Sequence, residues 1–500
     1  MSASALAPRQ WLFLALAATL AFRGWLAATL PLTADEAYFV LWGRAPALGF
    51  YDHPPMVGWM LAPLVALSDA PWLVRLPSTL APALVALGLL AALRRWFGSD
   101  EPTASLAALA VLLVPMNVWN VLITTDTPLV IFSVASLLVF ARAAARDAPG
   151  WFVAAGALLG LAFLSKYLAL LLALAYLAWA AAARRWGALG LAFLGALPFG
   201  LANLWWNYQA CWCNVMFNAI NRHQDDGGWS FATPALYAAA LAYLGAPLLW
   251  YAWRGRGALR AAWSRPAERV LLAAWLVPLA VFAALSPVKR IGLHWLLSFL
   301  PALVACVALA LGRTQLASSA RFLAAFALLH VAAVLALAAL PPERWSPARL
   351  QPRLAFLART DEVLAALAPQ LDRYRLAADS YSVAALLAYR AGRPVPVFGA
   401  GSSHARHDDI LTDWRAYRGA DLVIVRREAP PLEDYRPFFR EVEARALPLR
   451  GVTLHAVLGR GFDYDAYRAR VLTAVRERYY RVPPWLPIGR CYFFERYFGA

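Results

Sequence analysis

About eleven apolar runs, each near the roughly 20 residues an α-helix needs to cross a hydrocarbon core, occupy the first two thirds of this chain. They lie at 11–31, 78–97, 103–120, 128–145, 150–165, 167–183, 187–206, 231–253, 269–286, 295–312 and 321–340. Of the 500 residues 62% are hydrophobic and 15% charged, more apolar surface than soluble domains bury, so the bilayer is the expected solvent. The fold class predicted is a polytopic α-helical membrane protein. A formal charge of +17 raises the question of nucleic acid. The arginines, however, are scattered between apolar runs rather than gathered on a stripe with interleaved aromatics, which excludes that partner.

The arginines report topology instead, because positive charge collects in short cytoplasmic loops. With the N-terminus inside, every second loop is basic: Arg9, then Arg94 and Arg95, Arg142 and Arg146, Arg184 and Arg185, Arg254 to Arg265, and Arg313 with Arg321. The alternate loops hold few cations: Arg44, Arg75, Arg222, Lys166, Lys289 and Arg290. Residues 341–500 then fall outside the cytoplasm. The expected division is a membrane domain at 1–340, with a long outer loop at 31–77, and an outer domain at 341–500. The first run is read as an uncleaved anchor, since its apolar stretch from Trp11 exceeds a usual signal core.

After Pro341 and Pro342 the pattern changes. Short β-like segments at Pro394–Phe398, Asp421–Val425, Thr453–Leu458 and Cys491–Phe494 alternate with helical stretches at 379–391 and 464–480, predicting a small α/β module. Gly399 to Ser403 lacks the Lys and spacing of a phosphate loop and reads as plain loop. Cys211 or Cys213 is able to pair with Cys491 in an oxidising compartment, and the spacing leaves the choice open.

The residues with chemistry gather on one side of the predicted membrane. Among 46 basic residues only Lys166 and Lys289 are lysines, compact point charges suited to gripping a phosphate, though interfacial lysines also snorkel. Lys166 sits between the fifth and sixth runs beside Tyr167. Lys289 and Arg290 sit between the ninth and tenth, ahead of His294. Asp35 and Glu36 open the first outer loop, which continues through Tyr38 to Asp52 and His53. A carboxylate pair there serves as a general base, a metal ligand or a sugar-hydroxyl acceptor, or simply ends a helix in solvent. Asp126, before Pro128, is a further acid at the same predicted depth and also an N-cap candidate, an arrangement worth about 1 kcal/mol. Asp52, His53 and His294 leave a divalent metal open, but no pair has the i, i+4 spacing of a helical zinc site, and no cofactor is assured.

The stretch from Asp35 to Trp42, followed by Gly49 to Pro55, then Thr125-Asp126-Thr127-Pro128 and Ser165-Lys166-Tyr167 in order, resembles the bacterial GT-C glycosyltransferases related to protein O-mannosyltransferases and lipid A aminoarabinose transferases. The resemblance covers most of the membrane part and reaches the tail at Ala378 to Tyr381 and Cys491 to Arg496. It implies inverting sugar transfer from a polyprenyl-phosphate donor to a lipid, polysaccharide or protein acceptor at the outer face of the bacterial inner membrane. By motif position Asp35, Glu36 and Asp126 would be catalytic. Lys166, Lys289 and Arg290 would bind the donor phosphate, and Tyr38, Asp52, His53, Tyr167 and His294 would contact substrate. Two other classes stand beside it: a transporter or lipid flippase, for which Arg23 inside the first run and Arg75 are the notable residues, and a noncatalytic envelope-assembly subunit.

Overall fold

The computed structural model describes residues 6–223, 228–340, 344, 346–449 and 451–499. They form two compact units, one built from 1–30, 70–202 and 226–336, the other from 31–69, 203–225 and 337–500. The first outer loop therefore packs with the tail rather than with the helices that flank it in sequence. Pro341 and Pro342, the expected domain boundary, lie outside the described residues.

The first unit is helical, and each of the eleven apolar runs contains a helix. Among the described residues seven helices are long and apolar enough to cross a membrane: Pro8–Thr29, Pro71–Arg95, Asp126–Arg146, Trp186–Gln209, Pro266–Leu285, Leu293–Ala310 and Arg313–Ala338. The pair Ala232–Gly245 and Leu248–Arg254, bent by 96°, makes an eighth if it is one span. The remaining runs give shorter apolar helices, Glu101–Leu112, Pro149–Ser165 and Tyr167–Ala183. Lipid tails offer helices no hydrophobic reason to associate, so close approach has to come from small residues. A Cβ on Gly156 would lie 1.8 Å from the Ala192 carbonyl oxygen, and one on Gly195 would lie 2.1 Å from that of Val153.

Arg23, buried within the first span, answers a backbone need. Pro82 inside the helix Leu76–Arg95 has no N–H to give the Ser78 carbonyl four residues earlier. The Arg23 guanidinium donates to that carbonyl, to Thr79 O at 3.0 Å and to Asn117 O at 2.6 Å. Arg75, also buried, donates to the Ala27 and Leu30 carbonyls at 3.1 and 2.6 Å, closing the C-terminal end of the first helix. Both residues singled out for a transport reading are thus engaged in holding backbone.

The second unit contains a four-stranded sheet of β1 (Arg375–Ala378), β2 (Leu422–Arg426), β3 (Phe439–Leu449) and β4 (Val452–Phe462), in the order β1-β2-β4-β3. β1 and β2 are parallel; the other pairs are antiparallel. β2 is almost wholly buried, which suits its unbroken Leu422 to Val425 run, whereas β3 at the edge exposes a charged face. Val397 adds a parallel bridge to Ala378 on the outer side of β1, so the expected strand at 394–398 is reduced to one pairing. The expected strand at Cys491–Phe494 is instead the start of a helix, Tyr492–Tyr497. Cys491 is pinned by a disulfide to Cys211, while Cys213 is free and buried. Beneath the sheet, Tyr51, Phe217, Phe398, Trp414, Phe462 and Tyr467 share one buried cluster. Part of the first loop is therefore core to the tail.

Candidate active site

In the second unit, Thr33 begins the helix Ala34–Arg44. Its backbone N–H and hydroxyl donate to Glu36 Oε2 at 2.9 and 3.0 Å, and Glu36 N donates back to Thr33 Oγ1 at 3.3 Å. This reciprocal box satisfies N–H groups that a helix start leaves orphaned. It occupies the fully buried Glu36 carboxylate, so of the adjacent acids the structure turns Glu36 to capping and leaves Asp35 outward.

Asp35 lines a cavity of about 890 Å³. Its Oδ1 accepts a hydrogen bond of 3.0 Å from the Tyr381 hydroxyl, at the start of the helix Tyr381–Ala391 that follows β1. Burial, and then the Asp35 charge, push the Tyr381 phenol's pKa upward, so Tyr381 stays a donor to the carboxylate throughout the neutral range. Around the cavity stand Asp379, Arg426, Arg427, Arg353 and the loop 399–402.

Tyr38 and Asp52, expected to contact substrate, are hydrogen-bonded to each other. The Tyr38 hydroxyl donates to Asp52 Oδ2 at 2.9 Å and accepts from His407 N at 3.0 Å, while Asp52 Oδ1 accepts from Ala405 N at 2.8 Å. Asp52 is 4% exposed. Burial raises its pKa to about 7, opposed by the Ala405 and Tyr38 hydrogen bonds and the Arg406 charge. The same burial lowers the His407 imidazole to about 3. Together they clamp the segment 405–407, where Ala405 holds a left-handed φ of 58°. Arg406, which sequence reasoning passed over, grips Asp409 through two nitrogens at 2.8 and 3.0 Å and the Ser402 carbonyl at 3.0 Å, fixing the glycine-rich loop from below. His53 stands among aromatic rings, 6.4 Å from Phe39 and 6.3 Å from Trp42.

The first unit holds its own ionic cluster. Lys166 Nζ donates to both oxygens of Asp126, at 3.0 and 2.8 Å, with the two side chains 15% and 8% exposed. His294 Nε2 lies 3.7 Å from Asp126 Oδ2, and the Trp295 ring lies 5.8 Å from the ammonium. Local sequence explains the placement: Asp126 opens the helix Asp126–Arg146, and Lys166 occupies an extended residue between the helix Pro149–Ser165 and a tight turn. Tyr167 packs on Phe163 at 5.0 Å. Lys289 and Arg290 lie in the turn after Leu285, ahead of His294. Sequence order alone does not disclose that Lys166 is matched by an acid. Among the described residues no three His, Cys, Asp or Glu side chains assemble as a metal-binding group.

Residues 52–206 match the family described as dolichyl-phosphate-mannose-protein mannosyltransferase. Over 203 residues the chain is 32% identical to the lipid A galacturonosyltransferase RgtD of Rhizobium johnstonii, a match that takes in 39% of this chain and 41% of that protein. The chain thus spans less than half the length of this curated relative. ArnT from Cupriavidus metallidurans shares the fold. Its undecaprenyl-phosphate-bound structure superposes with a TM-score of 0.60 at 18% identity, and its apo structure with 0.63 at 17%; each pairing covers 90% of this chain and 98% of that one. The matched stretch begins at Asp52 and contains both Asp126 and Lys166, and the likeness to ArnT in fold takes in 90% of this chain: over that length the chain has the ArnT fold.

Proposed function

We propose that this protein transfers a sugar from a polyprenyl-phosphate donor to an acceptor at the outer face of the bacterial inner membrane, with inversion at the anomeric carbon. The observation that carries the reading is Asp35: an outward carboxylate, held by a phenol rather than by a cation, on the wall of a cavity large enough for a glycan. A sugar phosphodiester already has a fair leaving group. The protein's tasks are to position the acceptor, accept its proton and stabilise the charge that develops on the departing phosphate. Asp35 takes the proton of an acceptor hydroxyl as the new glycosidic bond forms. Lys166, with Lys289 and Arg290, meets the phosphate, and Asp126 holds Lys166 in position.

The relatives narrow the substrates. RgtD acts on lipid A, ArnT binds undecaprenyl phosphate, and the matched family is named for a dolichyl-phosphate-linked sugar. A polyprenyl phosphate is accordingly the donor lipid, and a lipid A-type glycolipid is favoured over polysaccharide or protein as acceptor. The N-terminus is cytoplasmic and the tail periplasmic, as the arginine pattern and the Cys211–Cys491 disulfide both favour.

Mass spectrometry of lipid A, polysaccharide and envelope proteins from cells with the protein, without it, and with Asp35→Asn tests the reading. One sugar is expected to disappear from lipid A in the last two. Its persistence in all three classes would overturn the proposal. A reporter active only outside the cytoplasm is expected to work after Ala500 and to be silent near Arg256; activity at Arg256 would reverse the topology.

A further inference from the structure

The cavity that Asp35 borders is closed on its far side by the sheet. Asp379 directly follows β1, Arg426 ends β2 and Arg427 follows it, and the loop 399–402 follows the Val397 bridge. All three segments run parallel, so their carboxyl ends open into the same space. The chain leaving β1 passes to Val397 at one edge of the sheet, while the chain leaving β2 passes to β3 at the other. Such a switch point leaves a crevice beyond the strand ends, where open α/β sheets place ligands.

The charges in this crevice are unevenly matched. Arg406 is paired with Asp409, and Arg426 is occupied by the Tyr435 hydroxyl at 2.8 Å, the Glu428 carbonyl at 2.9 Å and Asp379 at 3.9 Å. Arg427 and Arg353 have no hydrogen bond or ion pair with any described residue. Arg427 is half-buried. Burial first, and the like charge of Arg353 next, pull its pKa down, and the Asp379 and Glu428 charges offset this only in part. Two guanidiniums that line one cavity, neither held in an ion pair by a described residue, leave positive charge for an anion to meet, and a planar fork of donors suits phosphate or carboxylate. Asp35 lines the same cavity and is an acceptor for hydroxyl groups, while Asp379 stands beside the arginines.

We propose that this crevice is the acceptor pocket, and that the acceptor is a sugar bearing an anionic group, phosphate or carboxylate, which Arg353 and Arg427 recognise while Asp35 faces the hydroxyl to be glycosylated. This rests on the transfer reading above and extends it from the reacting carboxylate to the part of the acceptor that is held and does not react.

Calorimetry on the full chain in detergent micelles, with three soluble glucosamine disaccharides that are phosphorylated, carboxylated or neutral, tests it. An anionic disaccharide is expected to bind roughly tenfold or more tighter than the neutral one, the scale of one charge-assisted contact, and whichever wins names the anion. Arg427→Gln combined with Arg353→Gln should erase that difference, and Arg427→Lys should keep part of it. The exposed Arg353→Gln alone, which threatens the fold least, should reduce it severalfold. Equal binding of all three sugars, or no binding of any, overturns the inference. So does a parallel loss of undecaprenyl-phosphate binding in the arginine variants, because the arginines would then serve the donor. Asp35→Asn separates this from the transfer reading. Anion preference without any wild-type transfer would leave the pocket and remove the reaction, while Asp35-dependent transfer without anion preference would do the reverse.

Discussion

Asp35 and Asp126, one in each compact unit, are both acids at a helix start, yet they are kept in opposite states. Asp126 is 6% exposed and gripped through both oxygens by a lysine. Asp35 looks into a cavity and receives a hydrogen bond from a phenol. A carboxylate matched by a buried cation is tied to that partner. One held by a neutral hydroxyl is oriented without being neutralised. The difference separates an acid locked in an ion pair from one left open to a cavity.

Asp35→Asn breaks the comparison on the reactive side. Size and the Tyr381 bond are kept while the proton acceptor is removed, so purified protein is expected to lose transfer by roughly 10²–10⁴-fold. Unfolding temperature and undecaprenyl-phosphate binding should change little. Wild-type turnover would show that Asp35 is not the base.

Asp126→Asn breaks it on the structural side. Stripping one partner from a buried pair leaves the other charge uncompensated, at a cost of about 3–5 kcal/mol, seen as a lower unfolding midpoint in detergent. Asp126→Asn with Lys166→Met should regain most of that loss. If Asp126→Asn unfolds like wild type, the pair is not what holds this cluster.

Asp52 sharpens the contrast through pH. Its pKa is raised in the folded protein, to about 7, so the folded state keeps a proton that the unfolded chain releases. Its contribution to stability is fully present below about pH 4 and is lost as pH rises toward 7, on the order of a few kcal/mol in all. Asp408, raised likewise to about 7, acts in the same direction. His407, lowered to about 3, acts oppositely, adding stability that is present above about pH 6.5 and lost as pH falls toward 3. Unfolding followed from pH 4 to 8 is therefore expected to show Asp52→Asn gaining on wild type as pH rises, and parallel curves would mean that Asp52 is not the titrating group.

The smallest effect belongs to Tyr381→Phe. Losing one hydrogen bond to a charged group costs about 1.5–3 kcal/mol, so transfer should fall roughly 10–100-fold, carried in kcat with donor KM unchanged. A change confined to donor KM would place Tyr381 on the wrong substrate.

What the sequence discloses follows from how far apart the interacting residues lie. Spans are local events, and each apolar run produced a helix. β2 was legible because a central strand buried on both faces reads as an unbroken apolar run. β3 was not: Arg440, Glu441, Glu443 and Arg445 give it the composition of a loop, and only its long ladder with β4 makes it a strand. Cys491 misled through its aromatic neighbours, which form a helix packed under the sheet. In the candidate site Asp35 stands out because its motif is contiguous. Glu36's capping duty was implicit in Thr33-Ala-Asp-Glu36, an N-cap followed three residues later by Glu. The Lys166 to Asp126 pairing, and the lack of an ion pair for Arg353 and Arg427 among the described residues, had no local signature, since each depends on residues brought together by the fold.

The Tyr381 to Asp35 bond joins residues 346 apart in the chain, which sets an order on the protein's making. At about 5–20 residues per second, roughly 17–70 s separate the synthesis of the carboxylate from that of the phenol. The first loop belongs to a core whose remaining parts, at 203–225 and 337–500, are still unmade when it emerges. Until those parts are made, the loop lacks them as packing partners. A ribosome that stops before codon 381 leaves Asp35 in place with no wall opposite it. The wall around Asp35 is therefore complete only after the helix Tyr381–Ala391 has been made and has packed.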